Sequence, residues 1–282
     1  MADTNGRTAD ATTAAGLQVR NLSKHFGGVH AVQDLSFAVQ PGECVALIGP
    51  NGAGKSTTFA CIAGQYTPSA GQVLWNGERV EGLAPAQRLE RGMARTFQVA
   101  QTFEALTVLQ NVQLLLPGAP VMNPMRLLDA QPSAAAMALL QRVGLDALAH
   151  ADARSLAYGA KKRLELAMAL AGLVPGDKAQ QKSPPGLLLL DEPAAGLAAT
   201  ERAALMQLVH GLTRPTDGAQ PLAVLYTEHN MDTVFGVADR VLVVMEGRLV
   251  ASGTAAEVAA NDLVRSRYLC QSFRHGSEAT HA

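Results

Sequence analysis

CVALIGPNGAGKSTTFACIAG, residues 44–64, decides the fold. Its first six residues are an apolar run, bounded by Pro41-Gly42 on one side and a glycine-rich stretch on the other, as a buried parallel strand should be. GPNGAGKST, 49–57, then opens a helical stretch, and strand, glycine-rich turn and helix in that order make a phosphate-binding P-loop. Gly49, Gly52 and Gly54 let the backbone curl so that successive N–H groups and a helix N-terminus face phosphate oxygens. Lys55 adds a compact positive charge at the β and γ oxygens, and Ser56 offers the hydroxyl that a phosphate-bound Mg²⁺ uses. Pro50, Asn51, Ala53 and Thr57 complete the loop.

Two further buried strands end in chemistry. LLLLDEP, 187–193, places Asp191 and Glu192 at the carboxyl end of a run of four leucines, where open α/β sheets hold their ligands. Asp191 is suited to hold Mg²⁺ through water and Glu192 to polarise an attacking water; the plainer reading is that both cap the next helix. His229, in LYTEHN, 225–230, ends another such strand. It is either a structural histidine or the γ-phosphate sensor that a neighbouring strand end can supply.

Outward from these, LQVRNLSKHFGG and VHAVQDLSFAVQ, 17–40, alternate as two half-buried strands around Gly27-Gly28, and 69–80 reads as a hairpin turning at Asn76-Gly77. Residues 107–172 carry apolar residues at helical spacing, and 240–253 form a hairpin turning at Glu246-Gly247. VPGDKAQQKSPPG, 174–186, reads as an inserted surface loop, and the polar stretches 1–16 and 272–282 as disordered tails. The run Lys161-Lys162-Arg163 reads as a solvated helix face. Alternating buried strands and helices without an internal repeat give one α/β core.

Composition excludes several classes. The 282 residues include 23 Lys+Arg and 24 Asp+Glu, so the net charge of −1 gives no basic excess for coating nucleic acid. Cys44, Cys61 and Cys270 show neither paired nor zinc-ligand spacing, which fits a reducing compartment. No apolar run approaches the roughly 18 residues of a membrane-spanning helix, and the first residues have no apolar core of a signal peptide.

With these residues in place the sequence resembles the ATP-binding subunits of ABC transporters over 17–271. The resemblance is carried by the order of the P-loop, Gln98 in ARTFQ, LAYGA (156–160) at the place of the LSGGQ signature, LLLLDE, and His229. It implies an α/β P-loop NTPase (RecA-like) core with an antiparallel β subdomain and a helical subdomain over about 99–172. It also implies that Phe26, in KHFGG, stacks on adenine, the plainer alternative being core packing. GMARTFQ, LAYG followed by RLELA, DEPAAGL, EHNMDTVFGVADRVLVVMEG and AAEVAANDLVRSRYL are similar to the subfamily serving high-affinity branched-chain amino-acid importers. Amide or urea importers and the lipopolysaccharide-export ATPase share much of this pattern.

The resemblance further implies two such subunits facing head to tail on the cytoplasmic face of the inner membrane, with ATP and Mg²⁺ between the P-loop of one and the signature of the other. Closure drives two transmembrane permease subunits, fed indirectly by a periplasmic or extracellular solute-binding protein, and nucleic acid has no part. Glu192, His229, Gln98 and Lys55 become the catalytic residues, and Ser56, Gln98 and Asp191 the metal's. Gly159 becomes a contact to the opposite ATP. A soluble ABC protein of ribosomes or DNA would carry two cassettes or a long coiled coil, and this chain has neither.

Three positions depart from the family pattern: Ala157 and Ala160 stand where the signature has Ser and Gln, and Ala198 stands where a polar residue follows GL. Gly159 and the helix N-terminus still offer N–H groups to a phosphate. The hydrolytic half-site is complete while the signature is weakened, so a second ATP-binding subunit of different sequence is expected.

Overall fold

A computed structural model describes residues 15–96, 100–117, 133–175, 185–215 and 220–269. Gln98, Cys270, residues 176–184 of the expected loop, and the expected tails apart from Ala15 and Gly16 lie outside the described residues.

The apolar runs form strands in one six-stranded sheet, and their alternation shows why they can be apolar throughout. β3 (Cys44–Ile48) lies between β8 (Ala223–Thr227) and β9 (Arg240–Met245), β7 (Leu187–Asp191) pairs with β8, and β6 (Met93–Arg95) with β7, all parallel. β10 (Arg248–Gly253) closes the β9 edge antiparallel. Leu188, Leu190, Val224 and Tyr226 face one layer, and Leu187, Leu189, Ala223 and Leu225 the other. Each residue of the leucine run therefore finds a core, at about 1.5–3 kcal/mol per buried side chain.

The first layer contains α3 (Val108–Gln113), α4 (Ala134–Arg142), α5 (Tyr158–Gly172) and α6 (Ala199–Thr213). The second contains α1 (Lys55–Ala63), which lies between the parallel sheet and a four-stranded antiparallel sheet in the order β2-β1-β4-β5. Those strands are β1 (Leu17–Phe26), β2 (Val29–Val39), β4 (Ala70–Trp75) and β5 (Glu78–Arg79), with the expected turn at Asn76-Gly77. Phe59, Cys61 and Ile62 are fully buried, so α1 has an apolar face toward each sheet.

The residue pattern gave no sign of α2 (Pro85–Glu90), and a three-residue strand such as β6 is too short to show periodicity. α2 exists to deliver Arg88, 1 % exposed, to the C-terminus of α1. Its guanidinium donates to the carbonyls of Cys61 at 2.8 Å, Leu83 at 3.0 Å, and Ile62. A cation there completes carbonyls that the last helical turn leaves open and complements the helix dipole. Burial pushes its pKa down.

The basic run is not a solvated face. Lys162 is 4 % exposed and lies 3.9 Å from Glu165, one turn on; Lys161 pairs with Glu104 at 2.7 Å, and Arg163 turns to the Val143 and Gly144 carbonyls. The reversal arises because α5 packs on the sheet as well as on α3 and α4, which leaves little of its circumference to water. Cys44 and Cys61 are buried free thiols, and burial raises their pKa to about 12 and about 11, so neither is poised as a thiolate.

Candidate functional site

Strand register brings the three chemical termini together. Leu47 pairs with Thr227 and Thr227 with Asp191, so β3, β8 and β7 end in one row. The P-loop, His229 and Glu192 consequently emerge at the same edge, around a cleft of about 200 Å³ lined by Asn51–Thr57, Ala31, Glu192 and His229.

The loop's shape depends on two glycines. Gly49 and Gly54 have φ of +151° and +99°, and a Cβ would meet the Val244 carbonyl oxygen at 2.0 Å and that of Ala31 at 2.2 Å respectively. Only glycine fits either place. Gly54 is also the N-cap of α1 and makes no side-chain cap, so the first N–H groups of the helix have no side-chain acceptor. Lys55 donates through Nζ to the Gly49 carbonyl at 2.7 Å and the Pro50 carbonyl at 2.9 Å. Burial lowers its pKa, and the charges of Glu192 and Asp191 partly restore it.

Opposite the loop, His229 Nε2 lies 2.6 Å from Glu192 Oε1. Glu192 has a left-handed backbone, φ +48°, rarely adopted by a non-glycine residue. Thr227 Oγ1 accepts from the Glu192 N–H at 3.0 Å and donates to Asp191 Oδ1 at 2.9 Å, which holds the unusual backbone and the neighbouring carboxylate together. Asp191 Oδ2 accepts from Arg95 on β6 at 3.0 Å. Nothing in the residue pattern singles out Thr227 or Arg95, although they stand in LYTEH and ARTFQ beside His229 and Gln98. Replacing Thr227 by Val, nearly isosteric without the hydroxyl, is expected to slow ATP turnover about tenfold, the cost of one misplaced buried hydrogen-bonding group. Phosphate release at saturating ATP checks this; an unchanged rate would show that the hydroxyl is dispensable.

Among the expected site residues, Asp191, Gly49 and Pro50 adjoin the cleft without lining it, and Phe26 and Gly159 stand apart from it. Phe26 is 43 % exposed at the end of β1, which removes the core-packing alternative, and its ring meets Tyr66 edge-on at 5.3 Å with Lys24 Nζ 4.9 Å away. Gly159 lies in the first turn of α5, whose N-cap Ala157 makes no side-chain cap. Ser56 lines the cleft with a hydroxyl of the kind that Mg²⁺, which takes few protein ligands and prefers oxygen, can use, and Asp191 stands beside Glu192 with its carboxylate held by Thr227 and Arg95. Among the described residues there is no cluster of three or more His, Cys, Asp or Glu of the kind a transition metal prefers.

A P-loop after one central strand, facing an acid-ended and a histidine-ended neighbour, defines a P-loop nucleotide-binding ATPase. The chain belongs to the ABC transporter family, whose model matches residues 32–195. Proteins of this family hydrolyse ATP to drive transport, and this chain is an ATP-binding, ATP-hydrolysing member. It is similar to the high-affinity branched-chain amino acid transport ATP-binding protein LivG of Escherichia coli K12, with 35% identity over 90% of this chain and 97% of that one. It is also similar to the lipopolysaccharide export system ATP-binding protein LptB of the same organism, with 31% identity over 92% of this chain and 99% of that one. Among solved structures, a nucleotide-free ATP-binding cassette from an ABC transporter superposes with a TM-score of 0.73 at 26% identity, covering 90% of this chain and 98% of that one. No helix among the described residues is long and apolar enough to cross a membrane.

Proposed function

We propose that this chain is the ATP-hydrolysing motor of an importer for branched-chain amino acids, acting peripherally on the cytoplasmic face of the inner membrane. The observation that carries the ATPase half is the 2.6 Å contact between Glu192 and His229 directly across the cleft from Lys55. The amino-acid half is supported by the likeness to LivG. The 31% identity to LptB keeps a lipopolysaccharide exporter as the second reading.

In this reading the N–H groups of Asn51–Thr57 and the N-terminus of α1 hold the phosphates, with Gly49 and Pro50 shaping the entry to the loop. Lys55 exchanges its carbonyl partners for β- and γ-phosphate oxygens, and Phe26 stacks on adenine. Glu192 takes the proton from the attacking water while His229 fixes that carboxylate and senses the γ-phosphate. Ser56, Asp191 and Gln98 would hold Mg²⁺, which neutralises charge on the phosphate oxygens. The uncapped first turn of α5, with Gly159, receives the ATP held by the P-loop of a second, different ATP-binding subunit.

Two permease subunits complete the assembly, with a solute-binding protein acting indirectly. Their contact is supported by an apolar groove of about 510 Å³ between the core sheet and the helical layer, lined by Leu89, Met93, Phe103 and Met168. Phe103 is 48 % exposed, and its segment is pinned by buried Asn111, which accepts from the Phe103 N–H at 2.8 Å and donates to the Phe103 and Thr107 carbonyls.

Affinity purification of the tagged chain from detergent-solubilised membranes of its own cell tests the assembly. Two multi-spanning proteins and an ATP-binding subunit of different sequence are expected. The chain alone, or with ribosomal or DNA-repair proteins, would overturn the transporter reading. Leucine uptake by the reconstituted complex then separates importer from exporter.

A further inference from the structure

Glu228 has no part in the proposed mechanism, yet it is a carboxylate only 4 % exposed, immediately before His229 and within electrostatic reach of Glu192. A buried carboxylate is costly unless both oxygens find donors. Here both do. Oε1 accepts from the Ala194 N–H at 3.1 Å, two residues beyond Glu192, and Oε2 accepts from the N–H of His229 at 3.2 Å.

These contacts complete a ring. From Glu192 the backbone runs to Ala194, whose N–H reaches the Glu228 carboxylate; that carboxylate holds the backbone of His229, and the His229 ring returns to Glu192 at 2.6 Å. Thr227 grips the same loop from one residue earlier, at Asp191 and at the Glu192 N–H. Thr227 therefore fixes where the loop leaves β7, and Glu228 fixes how far it stands from the histidine. Burial raises the Glu228 pKa, and the two N–H groups and Arg202 work against that rise.

We propose that Glu228 is a positioning residue for the hydrolytic step, tying the loop after β7 to the backbone of His229 and so setting the geometry of the Glu192–His229 pair. The proposal rests on the reading of Glu192 as the base. A carboxylate suits the task because both its oxygens only accept, whereas an amide would turn NH₂ toward one of the two N–H donors. The same loop continues into Leu197 and Ala198, so the strut also sets where the chain enters α6.

The test is Glu228→Gln in the purified subunit or its complex, with the rate of phosphate release and the affinity for ATP measured separately. The expected result is kcat lowered about tenfold with the ATP Kd within about twofold of the parent, because the affected contacts lie on the far side of the cleft from the phosphate loop. Adding Glu228→Gln to Glu192→Gln is expected to cause no further loss, since a positioning effect has nothing left to act through. Should Glu228→Gln fail to fold, Glu228→Asp, whose shorter arm cannot span both donors, is read for the same split. Unchanged kcat, or kcat and affinity falling together with the melting temperature, would overturn the proposal and leave Glu228 a structural cap. Wild-type turnover in Glu192→Gln alone would instead overturn the assignment of the base on which the proposal rests.

Discussion

Glu192→Gln is expected to cut ATP turnover by at least about 100-fold while the affinity for ATP stays within about twofold of the parent. Gln keeps the size of the side chain and a hydrogen bond to His229 Nε2, 2.6 Å away in the parent, but cannot accept a proton from water. The parts proposed to bind phosphate, Lys55 and the open first turn of α1, are untouched. Phosphate release together with equilibrium binding of ATP checks both halves. Turnover near that of the parent would remove Glu192 from the mechanism, and lost binding would show that its carboxylate shapes the loop.

The largest effect on stability is expected at a residue far from the chemistry. Arg88→Met should destabilise the chain by about 3 kcal/mol, since it removes the guanidinium donors of the Cys61, Ile62 and part-buried Leu83 carbonyls, at about 1–3 kcal/mol for each group left unsatisfied, while Cys61 keeps the Gly64 N–H. For a chain of this size that corresponds to a fall in melting temperature of about 6–12 °C. Arg88→Lys, which keeps the charge without the fork, should recover only part of the loss. Thermal denaturation of the three proteins checks it; coincident curves would mean that water reaches the helix end and replaces the guanidinium.

What the sequence made legible was local chemistry. The phosphate loop is contiguous, and the acids of LLLLDE and the histidine of LYTEHN follow runs too apolar to be anything but buried strands, so strand order alone carried them to one edge. The contacts that tune these groups join residues far apart along the chain. Arg95 meets Asp191 across 96 positions, and Glu228 meets Ala194 across 34. No periodicity announces such pairs. Charged residues also mislead because most of them are solvated. Lys162 and Arg88 are buried, one beside Glu165 and the other beneath a helix end, and nothing in their immediate neighbours says so.

The position of α1 between two sheets has a consequence for how the chain comes apart. Most helices of a layered protein cover one side of a sheet and can fray from solvent inward, but in α1 every residue from Thr58 to Ala63 is buried. Beyond the open first turn, its amides are expected to open only when the antiparallel sheet lifts off the parallel one, an event that dismantles the larger part of that core. The loop at its head is thus anchored on a part of the chain expected to open last, so the proposed receptor for ATP is assembled before the nucleotide arrives.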